Sequence, residues 1–118
     1  MIQLNSLKNN NNPYKDAGIE QTWEFAHPIN KVFTGPLEKF KKMIYSANYE
    51  ILIKHENNKI TTLQETPSKL VYKVHILSKE KKKYYYIWQI EKVDEDGKFK
   101  DCWMTTSVSD PIYLGKII

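Results

Sequence analysis

Residues 68–93, SKLVYKVHILSKEKKKYYYIWQIEKV, decide how this chain folds. Leu70, Tyr72, Val74 and Ile76 fall on one side of an extended chain, and Val71, Lys73, His75 and Leu77 on the other. After the charged run SKEKKK the period of two returns, with Tyr84, Tyr86, Trp88 and Ile90 set against Tyr85, Ile87, Gln89 and Glu91. Alternation over this length, rich in β-branched and aromatic residues, predicts two strands joined by a hairpin. The lysines at 79–83 read as a solvated tip that discourages edge pairing with other chains.

Working outward, DEDG at 94–97 turns the chain into a last strand over KFKDCWMTTSVS, residues 98–109, which Pro111 helps to end. Upstream, EILIKHE at 50–56 and KITTLQET at 59–66 read as shorter strands around the turn residues Asn57 and Asn58. Before residue 46 the period is helical. Ile2, Leu4 and Leu7 predict a short helix ended by NNNNP. Asp16 is placed to cap a second helix, in which Ile19, Trp23 and Ala26 recur at helical spacing until Pro28 stops it. A third begins at TGPLEKF, with Thr34 or Gly35 as cap, Pro36 in the first turn and Leu37, Phe40, Met43 and Ile44 as the apolar stripe. Helices first and strands afterwards, joined by short turns, predict an α+β domain with an antiparallel meander.

The second face of the strands bears on assembly. The outer face of a two-layer α+β sheet is ordinarily wet and polar. Here Val71, Leu77, Tyr85 and Ile87 lie on it, and the last strand is apolar on both sides through Phe99 and Trp103 against Cys102, Met104 and Val108. A self-complementary face-to-face homodimer would cover such a surface.

Composition bounds the rest. The 118 residues, 41% hydrophobic and 27% charged, suit one domain over 1–118 with one core. No apolar run approaches the roughly 18–20 residues needed to span a membrane. The opening MIQLNSLKNN lacks the basic and apolar regions of a secretion signal, and Cys102 is the lone cysteine. These features predict a reduced, cytoplasmic protein without membrane association. The net charge of +4 comes from 18 lysines and no arginine. With NNNN at 9–12, this reads as an AT-rich coding bias toward Lys and Asn. Arginine is the side chain suited to bidentate phosphate and base contacts, so nucleic-acid binding is not favoured.

Candidate functional residues gather in WEFAHPINKVFTGPLEKF, residues 23–40, and in the last strand. The first stretch reads as a structural joint. Phe25 and Phe40 anchor two helices, Pro28 and Gly35-Pro36 set their angle, and His27, Asn30 and Thr34 satisfy helix ends. His27 is read as a cap at a helix C-terminus. If the fold holds a pocket, that joint forms part of its rim. Trp23, Tyr86, Trp88 and Trp103 are the aromatic residues that would line it and stack a small apolar or aromatic ligand. Asp101 is the carboxylate that, buried, would serve as an acid or base. His55 and His75 have no clustered carboxylate or cysteine partners, so no metal site is assigned, and no cofactor. Cys102 reads as a buried, inert thiol.

FAHPINKVFTGPLEKFKKM at 25–43, taken with CWMTTSV at 102–108, resembles a family known only as a domain of unknown function. That family is similar to the nuclear-transport-factor-2-like, or cystatin-like, α+β cones. Phe25, Asn30, Thr34, Gly35, Pro36 and Phe40 match the first motif; Cys102, Trp103 and Thr105 match the second. The resemblance extends over DAGIEQTWEFA to most of the chain. It departs from the usual cone in lacking a long first helix, and from its relatives in lacking arginine. It implies N-terminal helices packed on a curved antiparallel sheet of four to six strands, a conical cavity and a dimer. It implies no reaction, since such cones include isomerases, dehydratases, transport adaptors and interaction modules. The function expected is a non-catalytic binding or interaction module acting as a homodimer. The alternatives are an isomerase or lyase using Asp101 or His27 in the cavity, and lysine-mediated binding of nucleic acid or an anionic surface.

Overall fold

The computed structural model describes residues 2–116. Helices α1 (Ile2–Lys8), α2 (Ala17–Glu24), α3 (Pro28–Thr34) and α4 (Leu37–Ile44) precede a 3₁₀ turn, Glu50–Leu52. Strands β1 (Asn57–Glu65), β2 (Lys69–Leu77), β3 (Lys82–Lys92), β4 (Trp103–Val108) and β5 (Ile112–Lys116) follow. The fold is α+β, as the order of periodicities predicts. All pairings are antiparallel in the order β1-β2-β3-β4, and β5 pairs with the opposite end of β3 from β4. The sheet does not close into a barrel.

The alternation read in residues 68–93 is the alternation that the sheet uses. Val74 and Ile76 of β2 and Tyr86 and Trp88 of β3 are buried against the helices. Leu4 and Leu7 of α1, Ile19 of α2 and Phe40 and Ile44 of α4 complete that core with Leu52 and Ile53. Lys73 pairs with Ile87 and His75 with Tyr85 on the outer face, over which no second layer is formed by the described residues.

Helices α1 and α2 pack closely because Gly18 has no side chain. A Cβ there would lie 1.9 Å from the Ser6 carbonyl oxygen. Asn10 is 1% exposed and holds the start of α2: its side-chain oxygen accepts from Ile19 N at 3.0 Å and its carbonyl from Gly18 N at 2.8 Å. One residue of the Asn run is therefore structural rather than compositional drift.

The structure corrects the sequence reading in several places. EILI is not a strand. Its apolar run has no alternation, and it coils as a 3₁₀ turn that buries Leu52 and Ile53. Lys54 at φ 56° then redirects the chain, and Asn57 and Asn58 begin β1 instead of forming a turn. The last predicted strand starts five residues late. Residues 98–102 form a compact excursion closed by Asp101 N to Val93 O and Val93 N to Cys102 O, both at 2.9 Å. Cys102 is consequently exposed, not buried. Pro111 separates β4 from a fifth strand instead of closing the sheet. Pro28 ends nothing but its own residue's hydrogen bonding: it is the first residue of α3, where a missing N–H costs little. Pro36 occupies the cap position of α4, one residue earlier than expected.

Candidate binding cavity

The helices do not fill the sheet completely. A partly enclosed cavity of about 180 Å³ remains between α3, α4 and the far end of β4. Its apolar wall is Leu7, Phe40, Met43, Ile44, Leu52, Trp88 and Val108; its polar wall is Thr22, Asn30, Thr34, Thr105, Thr106 and Ser107, with Tyr49 between.

Each wall follows from the elements that carry it. Trp88 is set by the β3 alternation and is 2% exposed, its indole N–H donating to Thr105 Oγ1 at 3.0 Å. The Thr105 hydroxyl donates to Gln3 Oε1, and Gln3 Nε2 donates to Thr22 O at 2.9 Å. This buried chain ties α1 and α2 to the sheet, and every member is partnered as burial requires. Helix α3 stands over the cavity by a parallel bridge just before it: His27 N donates to Thr105 O at 2.7 Å and Thr105 N to Phe25 O at 3.1 Å. Spaced i, i+4, Asn30 and Thr34 share the helix face turned to the cavity. Tyr49 donates to Val108 O at 3.0 Å, and Tyr86 to Asn48 O at 2.6 Å. Burial pushes both phenols above their ordinary value, so they stay neutral.

Asn30, Thr34 and Trp88 thus meet in one cavity, and the other sequence candidates do not. Trp23 packs on Phe40 at 5.2 Å between ring centroids and lies against Gly35, where a Cβ would come within 2.4 Å of the indole. Tyr86 is wholly buried in the core. Trp103, 38% exposed, sits with Ile2, Phe25 and Ile90 at a separate shallow cleft. His27 caps α3 at its N-terminus, its Nδ1 accepting from Ile29 N at 3.1 Å, and not the C-terminus of α2. With Asp101 it borders a second, open and more polar depression of about 480 Å³, together with Glu91, Lys92, Asp94 and Glu95. Asp101 is exposed there, on a turn at φ 66°.

Sequence reasoning missed Thr22, Met43, Tyr49 and Thr106 as cavity residues. Thr106 lies in the CWMTTSV motif, which marks the right strand; Tyr49 follows a chain reversal that no periodicity foretells. Among the described residues no group of three or more His, Cys, Asp or Glu side chains could hold a metal ion. No helix among them is long and apolar enough to cross a membrane. The lysine tip at 79–83 and Lys92 lie at opposite ends of β3, roughly 30 Å apart at the usual rise per residue. Lys81 pairs with Glu56 and Lys100 with Asp96.

No protein-family model, curated protein or solved structure significantly matches this chain.

Proposed function

We propose that this chain is a non-catalytic binding module, a cone of the nuclear-transport-factor-2-like kind, that takes a small apolar or aromatic ligand between its helices and sheet and works as a homodimer. The observation that carries this reading is the lining of the cavity. It has room for a ring, yet among the described residues its lining presents no carboxylate, imidazole, thiol or amine to move a proton. The one ionisable lining group among the described residues, Tyr49, is a neutral phenol whose pKa burial raises further. Support for the dimer is the uncovered outer face, where Val71, Leu77, Tyr85 and Ile87 are only half-buried and Ile112 and Leu114 about half exposed.

Native mass spectrometry of the purified protein tests both parts. A dimer is expected, with a small-molecule adduct where the cavity is loaded from the host. A bare monomer at tens of micromolar would remove the dimer from the reading.

One observation favours a second reading. The buried His27 and Asp101 share the open depression beside β4, as an isomerase or lyase acid/base pair would. Asp101 is exposed, however, on a surface turn open to water, where nothing among the described residues sequesters a substrate from solvent. The binding reading is therefore preferred.

A further inference from the structure

Helix α3 is built inside out. A surface helix ordinarily turns its apolar stripe to the core and its polar face to water. Here Ile29, Val32 and Phe33, spaced i, i+3, i+4, point outward at 54%, 79% and 74% exposure, and none of the seven residues is buried. The face turned to the cavity carries the carboxamide of Asn30 and the hydroxyl of Thr34. Rolling the helix would bury the stripe over an apolar cavity, so its present orientation puts polarity inside at the expense of apolar burial.

That inward polarity is only partly used within the fold. Thr34 Oγ1 donates to Asn30 O at 2.9 Å and is committed. Asn30 Nδ2 reaches Thr105 O only at 3.5 Å, the outer limit of a hydrogen bond, and among the described residues no group donates to its side-chain oxygen. The carboxamide is thus free to give and take one bond each at the cavity wall. Leu7, Ile44, Leu52 and Trp88 offer apolar surface, and among the described residues no lining residue carries a charge.

Resting on the binding reading, we propose that the ligand is a small neutral amphiphile: a single ring or short chain bearing one hydroxyl or amide, its head bonded to Asn30 and its body against Trp88 and Leu52. The size follows from the volume, about 180 Å³, against the ~150 Å³ of an apolar cavity that accepts benzene. Neutrality follows from the lining, because a charged group would enter without a partner.

The test is calorimetric titration of the full chain and of Asn30→Leu with toluene, benzyl alcohol and benzoate. Toluene and benzyl alcohol should bind the wild type and benzoate should not. Asn30→Leu should weaken benzyl alcohol relative to toluene by about five- to tenfold, the worth of one hydrogen bond. Asn30→Ala, which puts no new bulk into the cavity and slightly enlarges it, should shift the ratio in the same sense, and retained toluene binding certifies the fold of either variant. A ratio that neither variant moves overturns the head-group assignment while leaving the cavity reading intact. Benzoate binding as tightly as benzyl alcohol overturns neutrality. Failure of all three to bind the wild type overturns this inference together with the cavity reading on which it rests.

Discussion

The indole N–H of Trp88 donates to the hydroxyl of Thr105 at 3.0 Å, across the β3–β4 pair and beneath α1. Because the same hydroxyl donates to Gln3, one oxygen joins the sheet to the first helix. Thr105→Val keeps the shape of the side chain but strands a buried indole N–H and a buried amide. The expected cost is about 2–6 kcal/mol, since each of the two unsatisfied buried groups forfeits roughly 1–3 kcal/mol. Thr105→Ser, which retains the oxygen, should cost less. Urea unfolding followed by Trp fluorescence measures both; equal losses would show that the hydroxyl is not what joins the layers.

The close approach of α1 and α2 depends on Gly18. A methyl group there meets backbone, the Ser6 carbonyl oxygen at 1.9 Å and Asn10 Cα at 2.8 Å, and backbone cannot step aside as a flexible side chain can. Gly18→Ala should destabilise by roughly 3 kcal/mol, the upper part of the usual range for overpacking. A stabilised variant, as helix propensity alone would give, would mean that the helices sit farther apart than described.

Two phenylalanines seven residues apart should respond oppositely. Phe40 is 5% exposed and tilted on Trp23, so Phe40→Ala should cost about 3–5 kcal/mol. Phe33 is 74% exposed on the outer side of α3, so Phe33→Ser should change stability by no more than about 0.5 kcal/mol. Thermal melts of the two variants decide it. A large loss at Phe33 would place that side chain in an interface already formed in solution.

What the sequence made legible follows the strength of its periodic signals. The β2–β3 hairpin was legible to within about one residue at its strand ends because side chains alternate from Tyr84 to Glu91, and the buried Val74, Ile76, Tyr86 and Trp88 are those the pattern selects. Helix α3 is not legible in the sequence, because Pro28 has the pattern of a helix stop yet opens α3, and the apolar stripe of α3 faces water. Nothing in Ile29, Val32 and Phe33 announces that they point outward; only the placement of Asn30 and Thr34 does. Asp101 was misread for a related reason. The run KFKDCW looks extended, but the left-handed backbone at Asp101 returns the chain to Val93 through a hydrogen bond that no side-chain pattern encodes. Asn30, Thr34 and Trp88 were found because they sit where the two longest-range features of the chain, the joint and the alternation, converge.

Stability should fall as the solution is acidified from neutrality, through His55. This side chain is 1% exposed, with Nδ1 2.8 Å from Leu52 O and Nε2 3.0 Å from Asn58 Nδ2. Burial disfavours its charged form and lowers its pKa below the ordinary 6.5. The unfolded chain therefore takes up a proton first as pH drops through about 6.5, and protons bound by the unfolded state alone favour unfolding. The stability that the neutral His55 provides is complete above that pH and is lost below it. Urea midpoints from pH 7.5 to 5 should decline, and His55→Gln should flatten the slope over that window. An undiminished slope in the variant would assign the effect elsewhere.

The outer face of the sheet gives the last prediction. Ile87 lies at its centre, opposite Lys73, half-buried by its neighbours and covered by no other element among the described residues. A lysine at this position is tolerated by an isolated chain, because an exposed strand surface accepts long polar side chains at little cost. In a face-to-face dimer the same lysine would be desolvated beside Lys73 and its counterpart, an unpaired buried charge costing several kcal/mol. Ile87→Lys should therefore convert a dimer to a folded monomer, seen by sedimentation velocity as a fall in mass with an unchanged circular dichroism spectrum. A variant that remains dimeric would move the interface off this face, and the edge of β5 that does not pair with β3 would be the next surface to alter.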